Sequence, residues 1–317
     1  MPHATRLFFV ADLHGSAICW RKFVNAARVY KADLLIVGGD ITAKTVTPLV
    51  LEQGEWIAVV EGARRTAPES DVERLEGSLR DGATIPYRTS RAEWEELTAH
   101  PDRLDALFQR LAPAEVAGWL RWADERLGAD PTRLLIGLGN DDPTVVETAI
   151  AADGRAELTD NEIVRLDDRH EMLTLAYSNP TPWHTYRELP EDEIARRLDT
   201  GAAGLDHTGS AVFNLHVPPH STPLDLAPRL DANLTKAMAP GGEPELVHVG
   251  STAVRAALLR HQPLLGLHGH IHESRGTTSL DRTLSINCGS AYTEGALLGA
   301  VIDLDSDRVR SAVLTSG

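Results

Sequence analysis

The sequence predicts an α/β protein. Short, almost continuously apolar runs alternate with amphipathic stretches along the 317 residues, as strands and helices do in that class. Several of the apolar runs, among them "RLFFVAD", "ADLLIVGGD" and "TRLLIGLGNDDP", close on polar residues that can do chemistry. Open α/β sheets gather their sites at the carboxyl ends of strands, so this placement is expected of the class.

The elements follow in order. Residues 6–12 read as a buried strand, and Ser16 can cap a helix whose Phe23, Ala27 and Tyr30 share a face. Residues 32–40 read as a second buried strand ending in Gly-Gly-Asp. Residues 41–132 break the pattern. "EWIAVVEGARR" reads as extended, followed by polar amphipathic helices near 69–80, 91–100, 102–111 and 114–128, with Pro113 at the first turn of the last. The 41–132 stretch therefore reads as a mostly helical insertion in a single 1–317 domain, serving as a lid or an oligomer contact. The buried-strand pattern resumes at 132–143, and Asp153-Gly154 marks a turn. "IVRL", "EMLTLAYSNP" and "SAVFNLHVPPH" read as strands, with a helix near 191–200. Residues 251–263 form a capped helix stopped at Pro263, "TTSLDRTLSINCGS" reads as a hairpin turning at Asp281-Arg282, and two strands close the chain.

Composition excludes several function classes. A net charge of −15 disfavours long nucleic acid and anionic membrane as partners. Two cysteines without a CxxC exclude a thiolate metal cluster and argue against a disulfide framework. The apolar start "LFFVA" is stopped by Asp12, and no run reaches membrane-span length, so a soluble cytoplasmic protein is expected.

The segment "LHGHIHES" places His268, His270 and His272 at alternate positions after an apolar run. In a strand all three would share a face and deliver imidazoles to one spot, as a metal site requires; histidines facing water at a strand end are the alternative. The other strand ends weigh in the balance: "ADLH", "GGD", "GND" and "NLH" each add carboxylate, amide or imidazole. Singly, each is what turns and caps ordinarily use.

In this order, Asp12-Leu13-His14, Gly39-Asp40, Gly139-Asn140-Asp141-Asp142, His216 and Gly269-His270-Ile271-His272 resemble the calcineurin-like metallophosphoesterase superfamily. The contexts "GNDDP", "HVPP" and "GHIHES" are similar to its Icc-related bacterial and archaeal branch. The resemblance runs from residue 12 to about residue 290, and the 41–132 stretch carries none of its motifs. It implies a four-layer α/β/β/α sandwich with two divalent metal ions at the strand ends. By position, Asp12, His14 and His272 would hold one metal, Asn140, His216 and His270 the other, and Asp40 would bridge them. Oxygen and imidazole donors without cysteine suit manganese, iron, nickel or zinc. The implied reaction is in-line attack on phosphorus by a hydroxide bridging the two metals, with Asp40, Asn140, Asp141 and His216 as the catalytic set.

One departure matters. Many members of the superfamily carry histidine directly after the motif asparagine, where it assists the leaving group; here that residue is Asp141. A carboxylate beside two cations is a poor proton donor, so Asp141 is expected to orient a ligand instead. His184 and His220 are the alternative donors, each with a solvent-exposed loop histidine as its plainer reading, and His268 is left over as a buried or supporting histidine. The expected function is a phosphodiesterase on a small substrate such as a cyclic nucleotide, with a homodimer as a possible assembly. A phosphomonoesterase or nucleotide pyrophosphatase on the same metals is the second reading, and a non-catalytic protein-binding scaffold is the third.

Overall fold

A computed structural model describes residues 4–60, 62–239 and 241–317. The first sheet begins with β1 (Thr5–Val10), continues through α1 (Ala17–Tyr30) to β2 (Leu34–Gly38), and sets Phe8 opposite Leu35 in parallel pairing. Ser16 caps α1, accepting from the Cys19 amide at 3.4 Å. Residues 41–132 then leave the sheet as β3 (Val46–Glu52), β4 (Glu55–Val60), β5 (Ala63–Pro68), α2 (Val72–Asp81), β6 (Ile85–Thr89), α3 (Arg91–Ala99) and α4 (Pro101–Leu127). The chain returns as β7 (Arg133–Gly137), parallel to β2, followed by α5 (Val146–Ala151) and β8 (Ala156–Leu158).

The second sheet starts with β9 (Ile163–Arg165) and β10 (Glu171–Leu175), and α6 (Glu191–Ala202) leads on to β11 (Val212–Leu215). A small hairpin of β12 (Leu226–Pro228) and β13 (Leu246–His248) precedes α7 (Thr252–His261) and β14 (Leu265–His268). The hairpin of β15 (Gly276–Leu280) and β16 (Thr283–Asn287) turns at Asp281-Arg282, as the sequence predicts. Finally β17 (Leu298–Leu304) and β18 (Val309–Ser316) cross back to the first sheet. The strand orders are β18-β17-β1-β2-β7-β8 and β15-β16-β14-β11-β10-β9.

Three apolar layers hold these sheets as a four-layer α/β/β/α sandwich, the fold class expected. Alternation along single strands creates the layers. In β1, Phe8 and Val10 face α1 and α4, while Leu7 and Phe9 face the second sheet. In β10, Met172 joins the layer between the sheets, and Leu173 and Leu175 pack against α6 and α7. Trp20 of α1 stacks on Trp119 of α4 with centroids 5.2 Å apart, and its indole N–H donates to the Trp119 carbonyl at 3.0 Å. Among the described residues no helix is long and apolar enough to cross a membrane.

The 41–132 stretch departs from its expected form in two ways. It carries a four-stranded sheet of its own, ordered β5-β4-β3-β6. Strands β3 and β6 contain Pro48 and Pro86, which read as breakers in a sequence. The structure tolerates both: β6 is an edge strand, and β3 pairs with β4 only over Val50–Glu52, beyond Pro48. The second departure is α4, one helix running through Pro113 where two were expected. Its Phe108, Ala112, Val116, Trp119, Leu120, Ala123 and Leu127 are buried against the first sheet's helical layer, and that burial outweighs the hydrogen bond a proline forfeits. Thus α4 belongs to the main core, while Leu49, Ala58, Ala67, Leu75 and Leu79 form a separate small one.

This division predicts the stability of variants. Leu120, fully buried under α1, should cost about 2–5 kcal/mol when changed to Ala, in one cooperative transition on chemical denaturation. An unchanged global midpoint for Leu120→Ala would show α4 to be detachable.

Candidate metal centre

The carboxyl ends of β1, β2 and β7 meet those of β11 and β14, and every predicted ligand sits one to four residues past a strand end. Backbone hydrogen bonds stitch the turns together: the Asp12 amide donates to the Gly39 carbonyl at 3.0 Å and the His14 amide to the Asp40 carbonyl at 2.9 Å. The Gly269 amide donates to the His216 carbonyl at 2.9 Å. The chain must turn sharply here. Asp12, His14, Asp40 and His270 all adopt left-handed backbone, with φ of 57°, 43°, 52° and 67°. That conformation is costly for residues with a Cβ and is tolerated where the surroundings fix it.

The histidine strand is the first correction. Strand β14 stops at His268, so the three imidazoles do not share one strand face. The positive φ of His270 turns the chain, and the His270 amide donates to both Asp12 carboxylate oxygens at 3.0 Å. His270 and His272 enter the cluster from this turn. His268 stays in the strand, fully buried, with Nδ1 2.8 Å from the Leu215 carbonyl and Nε2 without a partner. Burial holds its imidazole down at about 4.

The structure brings all seven predicted ligands together. The Nε2 atoms of His14 and His272 lie 3.0 Å apart. Asp40 Oδ2 is 3.3 Å from His216 Nε2 and 3.6 Å from His14 Nε2. Asp12 Oδ1 is 3.7 Å from His272 Nε2 and 3.9 Å from His216 Nε2. Asn140 Oδ1 lies 2.6 Å from His270 Nδ1 and 3.1 Å from His216 Nε2. Asp40 stands between the two halves, near both His14 and His216. Three overlapping groups have metal-ligating geometry: Asp12 with His14 and His272, Asp12 with Asp40 and His216, and His14 with Asp40 and Asp141.

Second partners orient these atoms. The Asn140 amide nitrogen donates to Asp141 Oδ1 and to Thr185 Oγ1, both at 3.0 Å, which fixes its carbonyl oxygen toward the cluster. His216 Nδ1 lies 3.1 Å from the Gly38 carbonyl, so Nδ1–H donates there and Nε2 faces inward. Asp142 joins two turns, accepting from the amides of Ile41, Thr42 and Gly139 and from the Thr42 hydroxyl. The glycines of the motifs are spacers. A Cβ on Gly139 would lie 2.2 Å from Asp40 Oδ1, and one on Gly269 2.5 Å from Asp12 Oδ2.

Electrostatics sharpen the picture. Burial, then the charge of Lys44, hold His14 well below its ordinary value. Burial and His216 push His270 down to about 3. Both therefore offer neutral lone pairs. His216 goes the other way: burial lowers it, but the Asp40 and Asp12 carboxylates override that and raise it to about 10. Burial alone would raise Asp12, and the three imidazoles around it, His272 foremost, bring it below the usual carboxylate range. In Asp40 burial wins and the carboxyl is raised.

A divalent metal fits this set. Oxygen and imidazole atoms from seven side chains converge within a few ångströms, His14 Nδ1 is buried without a partner, and glycine clears the space around Asp12 and Asp40. Hard or borderline ions match such donors.

The sequence reading missed Lys44, whose Nζ lies 2.8 Å from Asp141 Oδ2 at the rim of the cluster. It also missed Tyr292, whose ring centroid is 4.7 Å from that of His14. Neither belongs to a recognisable motif; Lys44 sits only four residues after Asp40 but inside the stretch that carries none. Of the two alternative proton donors, His184 is exposed on the wall of the adjoining cleft. His220 is bonded to the Ser221 hydroxyl, beside the His248 ring, and is not among the described residues that line the cleft.

Comparison with solved structures establishes the fold. One crystal structure aligns over 98% of both chains at 13% identity and a TM-score of 0.57. The crystal structure of TT1561 of Thermus thermophilus aligns over 99% of this chain and 98% of its own, at 12% identity and a TM-score of 0.55. A structure described as an archaeal phosphodiesterase covers 98% of this chain at 10% identity, with a TM-score of 0.38 too low to bear on the site. No family model and no curated protein sequence matches the chain.

The spacer glycines give a direct test. Gly139→Ala should sharply lower bound metal while Gly154→Ala, whose Cβ meets nothing within 4 Å, leaves it unchanged. Elemental analysis of the purified variants reads this out; full metal occupancy in Gly139→Ala would refute the cluster as a metal site.

Proposed function

We propose that this chain is a member of the calcineurin-like metallophosphoesterases and a metal-dependent phosphohydrolase, acting as a phosphodiesterase on a small organic phosphodiester. The observation that carries the reading is the convergence of the buried Asp12, His14, Asp40, Asn140 and His216 with the half-buried His270 and His272 at the floor of an open cleft. Asp12, His14 and His272 would hold one divalent ion and Asn140, His216 and His270 a second, with Asp40 shared. When bound, two such ions supply an activated water and neutralise charge on the phosphoryl oxygens.

The chain's own residues do the rest. Asn140 is fixed by Asp141 and Thr185, so its carbonyl oxygen needs no reorientation on loading. Asp141 already accepts from Asn140 and is paired with Lys44, which supports orientation as its part in the reaction and disfavours proton donation. Lys44, half-exposed in the cleft wall beside Asp141, places a cation at the rim of the cluster and can hold an anionic oxygen of the ester. Residues 41–132 thus act within one domain as an insertion that forms a wall of the cleft, rather than as a source of metal ligands. A monoesterase or pyrophosphatase would use the same groups. Among the described lining residues the other permanent cation, Arg229, is taken up by Glu245, which favours a substrate with one phosphate.

Purified protein reconstituted separately with manganese, nickel, zinc and magnesium should hydrolyse phosphodiesters, and Asp40→Ala should abolish turnover and reduce bound metal. Retained turnover and metal in Asp40→Ala would sink the assignment. A second measurement concerns Asp141. Aryl diesters, whose leaving groups need little protonation, should react faster than alkyl ones, and Asp141→Ala should slow both by a similar factor, on the order of 10–100. Selective loss of alkyl hydrolysis would instead make Asp141 the proton donor.

A further inference from the structure

The candidate metal centre forms only the floor of the cleft, a cavity of about 1250 Å³. The space above it is walled by Trp94 and Phe108 from the 41–132 segment, Trp183 and Tyr186 from the 179–188 loop, and apolar residues of the β12–β13 hairpin. This chain has only 6 Trp, 5 Tyr and 5 Phe, yet four of them line this one cleft. Trp183 leaves 61% of its surface exposed, a large apolar area for a single loop residue to present to water. Phe108 and Tyr186 lie nearly parallel, 6° between planes and 6.4 Å between centroids.

The loop that carries Trp183 and Tyr186 is held rigidly. Glu188 accepts from the backbone amides and hydroxyls of both Thr181 and Thr185. Pro180 and Pro182 restrict the backbone on either side of Thr181. The same loop is tied to the candidate metal centre, through Thr185 to the Asn140 side chain at 3.0 Å and through the Arg187 amide to the Asn140 carbonyl at 3.1 Å. The backbone that carries Trp183 therefore stands at a fixed position relative to the cluster, and the Tyr186 ring is held there by its hydroxyl's bond to Asp105 and by Phe108, so part of the ordering cost is met before any ligand arrives.

We propose that this upper part of the cleft is a subsite for an uncharged, flat aromatic group carried by the phosphate ester. The proposal rests on the phosphoesterase reading for the reacting end and extends it to the other end of the substrate. Aromatic rings that are fixed and partly exposed favour stacking partners. Charge argues against a second anionic group in that region. The permanent cations among the described lining residues are Lys44, paired with Asp141 at the floor, and Arg229, paired with Glu245 at 2.6 Å, while Asp105 and Glu273 add acidic groups.

The test uses metal-reconstituted protein and calorimetric titration with three non-hydrolysable ligands that share a phosphonate head: ethylphosphonate, decylphosphonate and 1-naphthylmethylphosphonate. The naphthyl ligand should bind on the order of tenfold tighter than the ethyl one. Trp183→Ala should remove most of that difference and Trp183→Phe should retain it. Because Trp183 is largely exposed, neither change should disturb folding, and unchanged metal content checks this. A gap that survives Trp183→Ala overturns the subsite. So does decylphosphonate binding as tightly as the naphthyl ligand, which would make the cleft a general apolar slot. A fourth ligand, 1-naphthalenemethanol, separates this proposal from the reading beneath it. If the phosphonate head adds nothing to its affinity in the presence of metal, the phosphoesterase reading fails, while its dependence on Trp183 still decides the subsite.

Discussion

The constraint on which the site depends is the burial of two carboxylates, Asp12 and Asp40, at the seam between two sheets. Removing an ionised carboxylate from water costs several kcal/mol unless charge and hydrogen bonds replace the solvent. The fold supplies that replacement from the same seam. Asp12 receives the His270 amide, Asp40 receives the Asp141 amide at 2.9 Å, and His14, His216 and His272 crowd both. The unusual local features follow from this packing. Four of the clustered residues take left-handed backbone because the strand-end turns must reverse within a few residues. Gly139 and Gly269 keep clear the space that the two carboxylates fill. Asp142 holds the Asp40 turn and the Asn140 turn in register through four hydrogen bonds.

A cluster built this way has its geometry set before a metal or substrate arrives. Asn140 is the clearest case, because both of its amide donors are engaged outward and its oxygen has one direction left. The partners that fix it come from different parts of the chain: Asp141 is its neighbour, while Thr185 belongs to the loop that carries the exposed rings. Alignment at the metal centre and alignment of the cleft wall are thus one mechanical problem. Rigid support of this kind is what positions reacting groups within the tolerance that catalysis requires.

The 41–132 segment contributes in two unequal parts. Helix α4 is a structural member of the main core, stacked on α1 through Trp119 and Trp20. The four-stranded sheet and α2 share a small core around Leu49 and Leu79, and Val46 of β3 reaches the cleft together with Lys44 just before it. An insertion of this type can alter what the cleft accepts without disturbing the strand ends that form the cluster, since loops and insertions at strand carboxyl ends carry specificity while the sheets carry position.

The order of the motifs, through the resemblance it carries, implied the four-layer class. The sequence by itself determined the alternation of strands and helices and the identity of the residues at the strand ends. These are local signals: apolar runs such as "LFFV" and "LLIV", the Ser16 and Ser251 caps, and Asp, Asn and His placed where each run stops. The tertiary structure decided what local signals do not encode. Burial of its apolar face kept α4 continuous through Pro113, and an edge position let β6 keep Pro86. A left-handed turn at His270, fixed by the Asp12 carboxylate 258 residues away, separated His268 from the cluster although all three histidines alternate in sequence. Lys44, Thr185 and Trp183 gained their places around the site from pairings 45 to 97 residues apart or from the loop those pairings hold. A sequence records which side chains are present, but which of them share a few ångströms of dry space depends on how the two sheets close on one another.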